Sequence, residues 1–200
     1  MEDNVTRSAH LARVISRVTN PCIVSVIVLL SIAYTESSSV RILVSSVAVV
    51  LLFLVLLPLV YVYLRTSRGR SGIADPTIFL KQHPRDILIL GPLLGLPCLV
   101  ILIFLEAPTL LLYTLGALLA GSAVIALFNI FYRVSYHLAA VTILVIMAAL
   151  AWGEILLILL ATIPLIGWAK YQIREHTLAQ LTTGVALSMA ITGATWYLLS

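Results

Sequence analysis

The chain is dominated by long apolar runs that alternate with short polar segments. Seven runs contain no Asp, Glu, Lys or Arg, and they cover residues 21–35, 42–64, 87–105, 107–132, 138–153, 155–169 and 177–200. A backbone in lipid must satisfy its own hydrogen bonds and charged side chains are costly there, so such runs predict transmembrane helices. We therefore expect an all-α, multi-pass transmembrane bundle of about seven spans.

Composition agrees with this interpretation. Hydrophobic residues make up 62% of the 200 residues and charged residues 10%, against roughly 45–50% and about 25% in soluble domains. A chain of this length leaves room for one membrane domain over residues 1–200. The first, fifth and sixth runs are shorter than the ~20 residues that a full crossing needs, which favours a site recessed into the membrane.

The basic residues predict an orientation. When the seven runs are threaded alternately, all of the 12 Lys and Arg residues except Arg41 fall on one side. That imbalance persists when cations of the candidate site are set aside. By the positive-inside rule we expect this side to face the cytoplasm, in the cell membrane.

Three polar clusters stand directly before apolar runs, in residues 81–85, 133–137 and 170–180. An even number of predicted spans separates each cluster from the next, so all three return to one face of the membrane. Titratable and cationic side chains gathered at one depth favour binding or transfer of an anionic headgroup.

The chemistry of these clusters suits a phosphate. A neutral imidazole whose far nitrogen is held by an acceptor is a good nucleophile, and Gln180 offers its carbonyl oxygen to His176 one helical turn away. Helix N-termini and fixed cations would neutralise the phosphate. The candidate cations are Lys81, Arg85, Arg133, Lys170 and Arg174.

The clusters also resemble a known family, over roughly residues 75–190. Val134-Ser-Tyr-His137 stands in the place of a Pro-Ser-Gly-His motif, and Ala169-Lys-x5-His176-x3-Gln180 in the place of Ser-Arg-x5-His-x3-Asp. Lys81 and Arg85 approximate a Lys-x6-Arg-Pro motif. This order of motifs resembles the type 2 phosphatidic acid phosphatase superfamily of membrane lipid phosphatases. His176-Thr-Leu-Ala-Gln180 is also similar to the His-Thr-x-x-Gln of dolichyl diphosphatases.

The resemblance implies a six-helix phosphatase-like core and a metal-independent, cofactor-independent phosphoryl transfer through a phosphohistidine. His176 would attack phosphorus, His137 would protonate the departing lipid oxygen, and Ser135 would contact the phosphate. The implied substrate is an isoprenyl or glycerolipid phosphate or diphosphate, with polyprenyl diphosphate slightly favoured by Gln180. We expect no nucleic acid, and no protein partner is indicated. Since Gln180 supplies no charge, a slower enzyme is expected.

Two other function classes stay open. Tyr136 and Gln180 stand where the family motifs have Gly and Asp, which favours an inactive protein that keeps the fold and binds a lipid phosphate or acts as a scaffold. Alternatively, His137 and His176 could ligate haem between two helices. Either histidine could also be a boundary residue bonded to a headgroup or a carbonyl.

Overall fold

The computed structural model describes residues 2–68 and 84–199, which are helical with no strand among them. The elements are α1 (Glu2–Val18), α2 (Pro21–Glu36), α3 (Val40–Leu51), a π-helical segment (Leu52–Leu56), α4 (Leu57–Arg68), α5 (Pro84–Phe104), α6 (Thr109–Phe128), α7 (Tyr136–Trp152), a 3-10 helix (Glu154–Ala161), α8 (Thr162–Gln172) and α9 (Leu178–Leu199). This confirms the all-α part of the prediction.

Within residues 2–68 and 84–199, three helical stretches are long and apolar enough to cross a membrane, and they cover His10–Glu36, Val40–Arg65 and Thr109–Phe128. Leu90–Phe104 and Tyr136–Trp152 form shorter apolar helices. Many large apolar side chains lie exposed on these helices, which is the surface that lipid contact requires and that water disfavours. The chain is therefore a helical protein whose apolar helices are compatible with membrane association.

The second apolar run is helical but not uniform, because its hydrogen-bond pattern widens at the π-helical segment Leu52–Leu56. Pro58 follows two residues later. Proline has no N–H, and its ring clashes with the carbonyl four residues before it, here that of Leu54. A π-helical turn placed just before a proline absorbs this misfit without ending the helix.

The sixth apolar run differs from the expected single α-helix. Gly153 ends α7 with a φ of 99°, and the chain continues as the 3-10 helix Glu154–Ala161 before α8 begins at Thr162. Pro164 lies in the first turn of α8, where its missing N–H costs nothing, but it prevents an α-helix from continuing upstream. The run is therefore built from two helices of different pitch.

The described chain forms two compact units. The first comprises Met1–Val28 and Gly116–Ser200, and α7 lies at its centre with most of its side chains buried. Around it pack α9, the 3-10 helix and α8, and α1 packs along α8. Its main apolar cluster comprises Leu138, Val141, Val145, Ile166 and Leu181, with Ile15, Leu160, Ile163 and Val185 against it.

The second unit is Leu29–Leu115, in which α3, the π-helical segment and α5 pack on one another. Its α5 contains Pro92 and Pro97 and ends in a left-handed residue, Glu106, with a φ of 54°. The amide of Ala107 reaches back to the carbonyl of Leu102, which closes the helix end.

Candidate functional site

Candidate residues of the second and third motifs lie in the first unit, around the N-terminal ends of α7 and α9. Ser135 is the N-cap of α7, and its Oγ accepts the N–H of Leu138 at 3.4 Å. The backbone N–H of Ser135 donates to the carbonyl oxygen of Gln180 at 3.5 Å. The two helix starts are therefore side by side, as the proposed anion site requires.

Gly184 lets the two helix starts approach this closely. A Cβ at position 184 would lie 3.1 Å from the carbonyl oxygen of Ser135 and 3.2 Å from Cγ1 of Val134. Contacts this short are tighter than side chains normally make, and the nearer partner is backbone that cannot rotate away. The absence of a side chain at Gly184 therefore sets the spacing of α7 and α9.

His176 stands before a capping box that begins α9. The side-chain oxygen Oε1 of Gln180 accepts the N–H of Thr177 at 3.1 Å, and the N–H of Gln180 donates to Oγ1 of Thr177 at 3.3 Å. The same Oε1 lies 3.3 Å from Nδ1 of His176. An amide oxygen can only accept, so we assign the proton to Nδ1, which leaves the lone pair of neutral His176 on Nε2.

His137 lies in the first turn of α7 and contacts α1. Its Nε2 is 3.2 Å from Oγ1 of Thr19. The pKa of His137 is lowered to about 4, first by burial and then by the positive charge of Lys170, and the Thr19 backbone and Glu175 act in the opposite direction. His137 is therefore neutral at pH 7 while the site holds no anion.

His176 shares this electrostatic environment. Burial lowers its pKa first, Lys170 and Arg133 add to that effect, and the hydrogen bond to Gln180 and the charge of Glu175 oppose it. His137 and His176 are close enough for the charge of one to affect the other. Both imidazoles therefore belong to one cluster, and both are held neutral by burial and by cations.

Lys170 forms a salt bridge that the sequence analysis did not anticipate. Its Nζ lies 2.7 Å from Oε2 of Glu175, and Lys170 is buried while Glu175 is partly exposed. Lys170 is thus already partnered, and a phosphate would meet Glu175 as a competitor for the same ammonium group.

The turn after α8 brings Glu175 back onto Lys170. Arg174 is left-handed, with a φ of 56°, and its N–H donates to the carbonyl of Tyr171 at 2.9 Å. The N–H of Glu175 donates to the carbonyl of Lys170 at 3.1 Å. These two bonds are those of a Schellman motif, which usually has Gly at the left-handed position. Arg174 is exposed, and its contact with phosphate stays a prediction.

The turn before α7 presents Arg133. Oδ1 of Asn129 accepts the N–H of Val134 at 2.6 Å and thereby fixes the turn. Arg133 is exposed, and its charge reaches His176. Ser135 is fully buried, and its role as the N-cap of α7 explains this position without a ligand. Its contact with phosphate therefore stays a prediction.

Lys81 and Arg85 are the residues that the sequence analysis assigned to the first motif. Lys81 lies outside the described residues, and Arg85 lies in the first turn of α5, where the structure describes the backbone alone. Their part in the site also stays a prediction.

Sequence reasoning missed Thr19, Asn129 and Glu175. Thr19 is 118 residues from His137, and no pattern in the chain links the two. Glu175 carried a usable signal, because an acid five residues after a cation at a helix end can fold back onto it. Asn129 also carried one, since Asn often bonds nearby backbone in turns.

Within the described ranges, no group of three or more His, Cys, Asp and Glu side chains is placed to hold a metal ion. In comparisons with known proteins, no family model, no curated protein and no solved structure matches this chain. Its function must therefore be argued from its own residues.

Proposed function

We propose that this chain is a multi-pass cell-membrane protein that hydrolyses an isoprenyl or glycerolipid phosphate or diphosphate through a phosphohistidine. The proposal includes seven spans, a six-helix core like that of type 2 phosphatidic acid phosphatases, and a site open to the cytoplasm. Polyprenyl diphosphate is the favoured substrate because His176-Thr-Leu-Ala-Gln180 is similar to the dolichyl diphosphatase motif.

The observation that carries the proposal is the joint electrostatic environment of His137 and His176. Two imidazoles from different helix starts are influenced by the same Lys170, with Arg133 acting on one of them. Two helix N-termini lie side by side there, and their dipoles favour an anion. A phosphoryl group carries the charge that such a cluster would neutralise.

His176 is suited to be the nucleophile. With Nδ1–H bonded to Gln180, the lone pair on Nε2 attacks phosphorus, an N–P bond forms, and the P–O bond to the lipid breaks with its electron pair on the lipid oxygen. Gln180 orients the ring but adds no negative charge, so it stabilises the phosphohistidine less than a carboxylate would.

His137 is suited to move the proton. A bound phosphate raises the pKa of His137 because it introduces negative charge beside a group that burial and Lys170 keep neutral. The imidazolium then protonates the departing lipid oxygen. Water attacks the phosphohistidine, returns one proton to His137, and breaks the N–P bond to regenerate Nε2 of His176 and release phosphate.

The test is phosphate release from a panel of lipid phosphates and diphosphates by the purified full chain in detergent. We expect wild type to release phosphate, and His176→Ala and His137→Ala to lose at least a hundredfold in rate, roughly the contribution of an acid–base or covalent group. His10→Ala is the matched control, since His10 is an exposed histidine on α1. Equal activity in wild type and His176→Ala would refute the mechanism.

The inactive alternative has a specific observation in its favour. Oε1 of Gln180 caps α9 through Thr177, so this residue has a structural role without catalysis. Saturable binding of a fluorescent lipid phosphate that His137→Ala weakens, together with no phosphate release on any substrate of the panel, would select this alternative.

A further inference from the structure

Thr19 lies at the junction of α1 and α2, which is held on both sides. The N–H of Thr19 donates to the carbonyl of Ile15 at 2.9 Å. Beyond it, Oδ1 of Asn20 accepts the N–H of Cys22 at 2.9 Å and caps the start of α2. The position of the Thr19 side chain is therefore defined by two helix ends.

α1 is also fixed against α8, the helix that carries Lys170. Nε2 of Gln172 donates to Oγ of Ser8 at 3.1 Å, and Ala12 and Ile15 face the packed side of α1. This contact and the packing of Ile15 hold the end of α1, and with it Thr19, beside the first turn of α7, where His137 lies.

The hydroxyl of Thr19 has one hydrogen, and that hydrogen has an acceptor. Oγ1 lies 2.8 Å from the carbonyl oxygen of Ile15, which can only accept. The contact of 3.2 Å between Oγ1 and Nε2 of His137 must then have the imidazole as donor. Neutral His137 accordingly carries its proton on Nε2 and its lone pair on Nδ1.

We propose that Thr19 is a positioning residue that fixes the tautomer of His137, so that the proton exchanged with a substrate enters and leaves at Nδ1. In the neutral state Nε2–H stays bonded to Thr19, and in the imidazolium the second proton is on Nδ1. That proton passes to the leaving oxygen, and the one taken from water returns to Nδ1. The inference rests on the proposed function for the substrate and for the proton-transfer role of His137, and on the contacts of Thr19 for the tautomer.

The two histidines use opposite ring nitrogens to hold the proton and to react. Gln180 accepts from Nδ1 of His176 and leaves Nε2 to react, whereas Thr19 accepts from Nε2 of His137 and leaves Nδ1. The Thr19 backbone also acts on His137. Removal of the Oγ1 acceptor would leave the ring with that contact alone, so His137 would divide between two tautomers and the fraction ready for proton transfer would fall.

The direct test is nitrogen-15 NMR of histidine-labelled full chain in detergent, with His137→Gln used to assign the signal. We expect the His137 signal of wild type at pH 7 to show a protonated Nε2 and an unprotonated Nδ1. Thr19→Val removes the acceptor hydroxyl at constant shape, and we expect a mixture of tautomers. Thr19→Ser restores the hydroxyl and should restore the wild-type spectrum. A protonated Nδ1 in wild type would overturn the inference without any activity measurement.

Kinetics separate this inference from the proposed function. We expect Thr19→Val to lower kcat about tenfold, the value of one hydrogen bond, with KM nearly unchanged, and Thr19→Ser to recover it. Thr162→Val is the control, because that hydroxyl donates to the carbonyl of Leu159 in the preceding 3-10 helix. If His137→Gln abolishes activity while Thr19→Val keeps the wild-type kcat and tautomer, the positioning role fails and the phosphatase stands. If His137→Gln is fully active, the phosphatase mechanism fails, and the NMR result still decides the tautomer.

Discussion

The backbone N–H of Ser135 donates to the carbonyl oxygen of Gln180, and this contact joins the first turns of α7 and α9. The two residues belong to separate polar clusters of the sequence, and each also caps its own helix. The spacing of the two histidine-bearing segments therefore depends on backbone geometry as much as on side chains.

Gly184→Ala should disrupt this spacing. The added methyl group would lie 3.1 Å from the carbonyl oxygen of Ser135, so we expect a loss of about 1–3 kcal/mol in stability from overpacking. Activity should fall with it, since α7 would shift relative to α9. Thermal unfolding and phosphate release measure the two effects.

Gly193→Ala is the matched control on the same helix. A Cβ at position 193 meets no atom within 4 Å, so the change should be neutral or stabilise α9 by up to about 1 kcal/mol. Equal unfolding temperatures for the two variants would contradict the close approach at Gly184.

Much of the fold was predictable because it is set locally. A run without charges must be helical in lipid wherever it occurs, and each of the seven runs is helical over most of its described length. The charged helix α1 lies outside the runs and was not predicted. The π-helical segment and the 3-10 helix were not predicted. Pro58 and Pro164 mark both places in the sequence, but a proline alone does not say which irregular helix will form.

The candidate site was predictable only where its partners are neighbours in sequence. Gln180 follows His176 by one turn, so their contact could be expected from spacing. The bond between Thr19 and His137 depends on how α1 packs against α8, which no local pattern encodes. Ser135 was assigned to phosphate, whereas a Ser directly before an apolar helix is equally the signal of an N-cap.

Removal of the charge of Lys170 and removal of the charge of Glu175 should have opposite effects on the pKa values of His137 and His176. Lys170 lowers the pKa of His137 and of His176, and Glu175 raises both. We therefore expect Lys170→Met to raise the two pKa values and Glu175→Gln to lower them, as measured by NMR titration. Glu175→Gln should also cost about 1 kcal/mol, since Glu175 is partly exposed and the pair is screened. Unchanged titrations in both variants would mean that the salt bridge is distant from the imidazoles in solution.

Stability should fall as the pH is lowered from 6.5 to 4. His137 has a pKa of about 4 in the folded chain and 6.5 as its ordinary value, so in this window the unfolded chain binds a proton that the folded chain does not. The loss reaches up to about 3 kcal/mol at the acid end. The groups that act on it are Lys170, Glu175, His176 and Thr19.

Denaturation of wild type and His137→Gln at pH 7.5 and 4.5 isolates this effect, because other titrating groups are common to both. We expect the variant to lose less stability on acidification, and His10→Gln to behave as wild type. A wild type and a His137→Gln variant with parallel pH profiles would show that His137 titrates normally.

Arg174→Gly should stabilise the protein while weakening anion binding. Arg174 occupies the left-handed position of a Schellman motif, where a residue with a Cβ costs roughly 1 kcal/mol that Gly avoids. The same change removes an exposed cation two residues before His176, so we expect a higher KM for lipid phosphate. Glu106→Gly is the matched control, since Glu106 ends α5 in the same conformation within the second unit. It should raise the unfolding temperature similarly and leave KM unchanged. A lower unfolding temperature in both variants would contradict the left-handed assignment, and an unchanged KM in Arg174→Gly would remove Arg174 from the phosphate site.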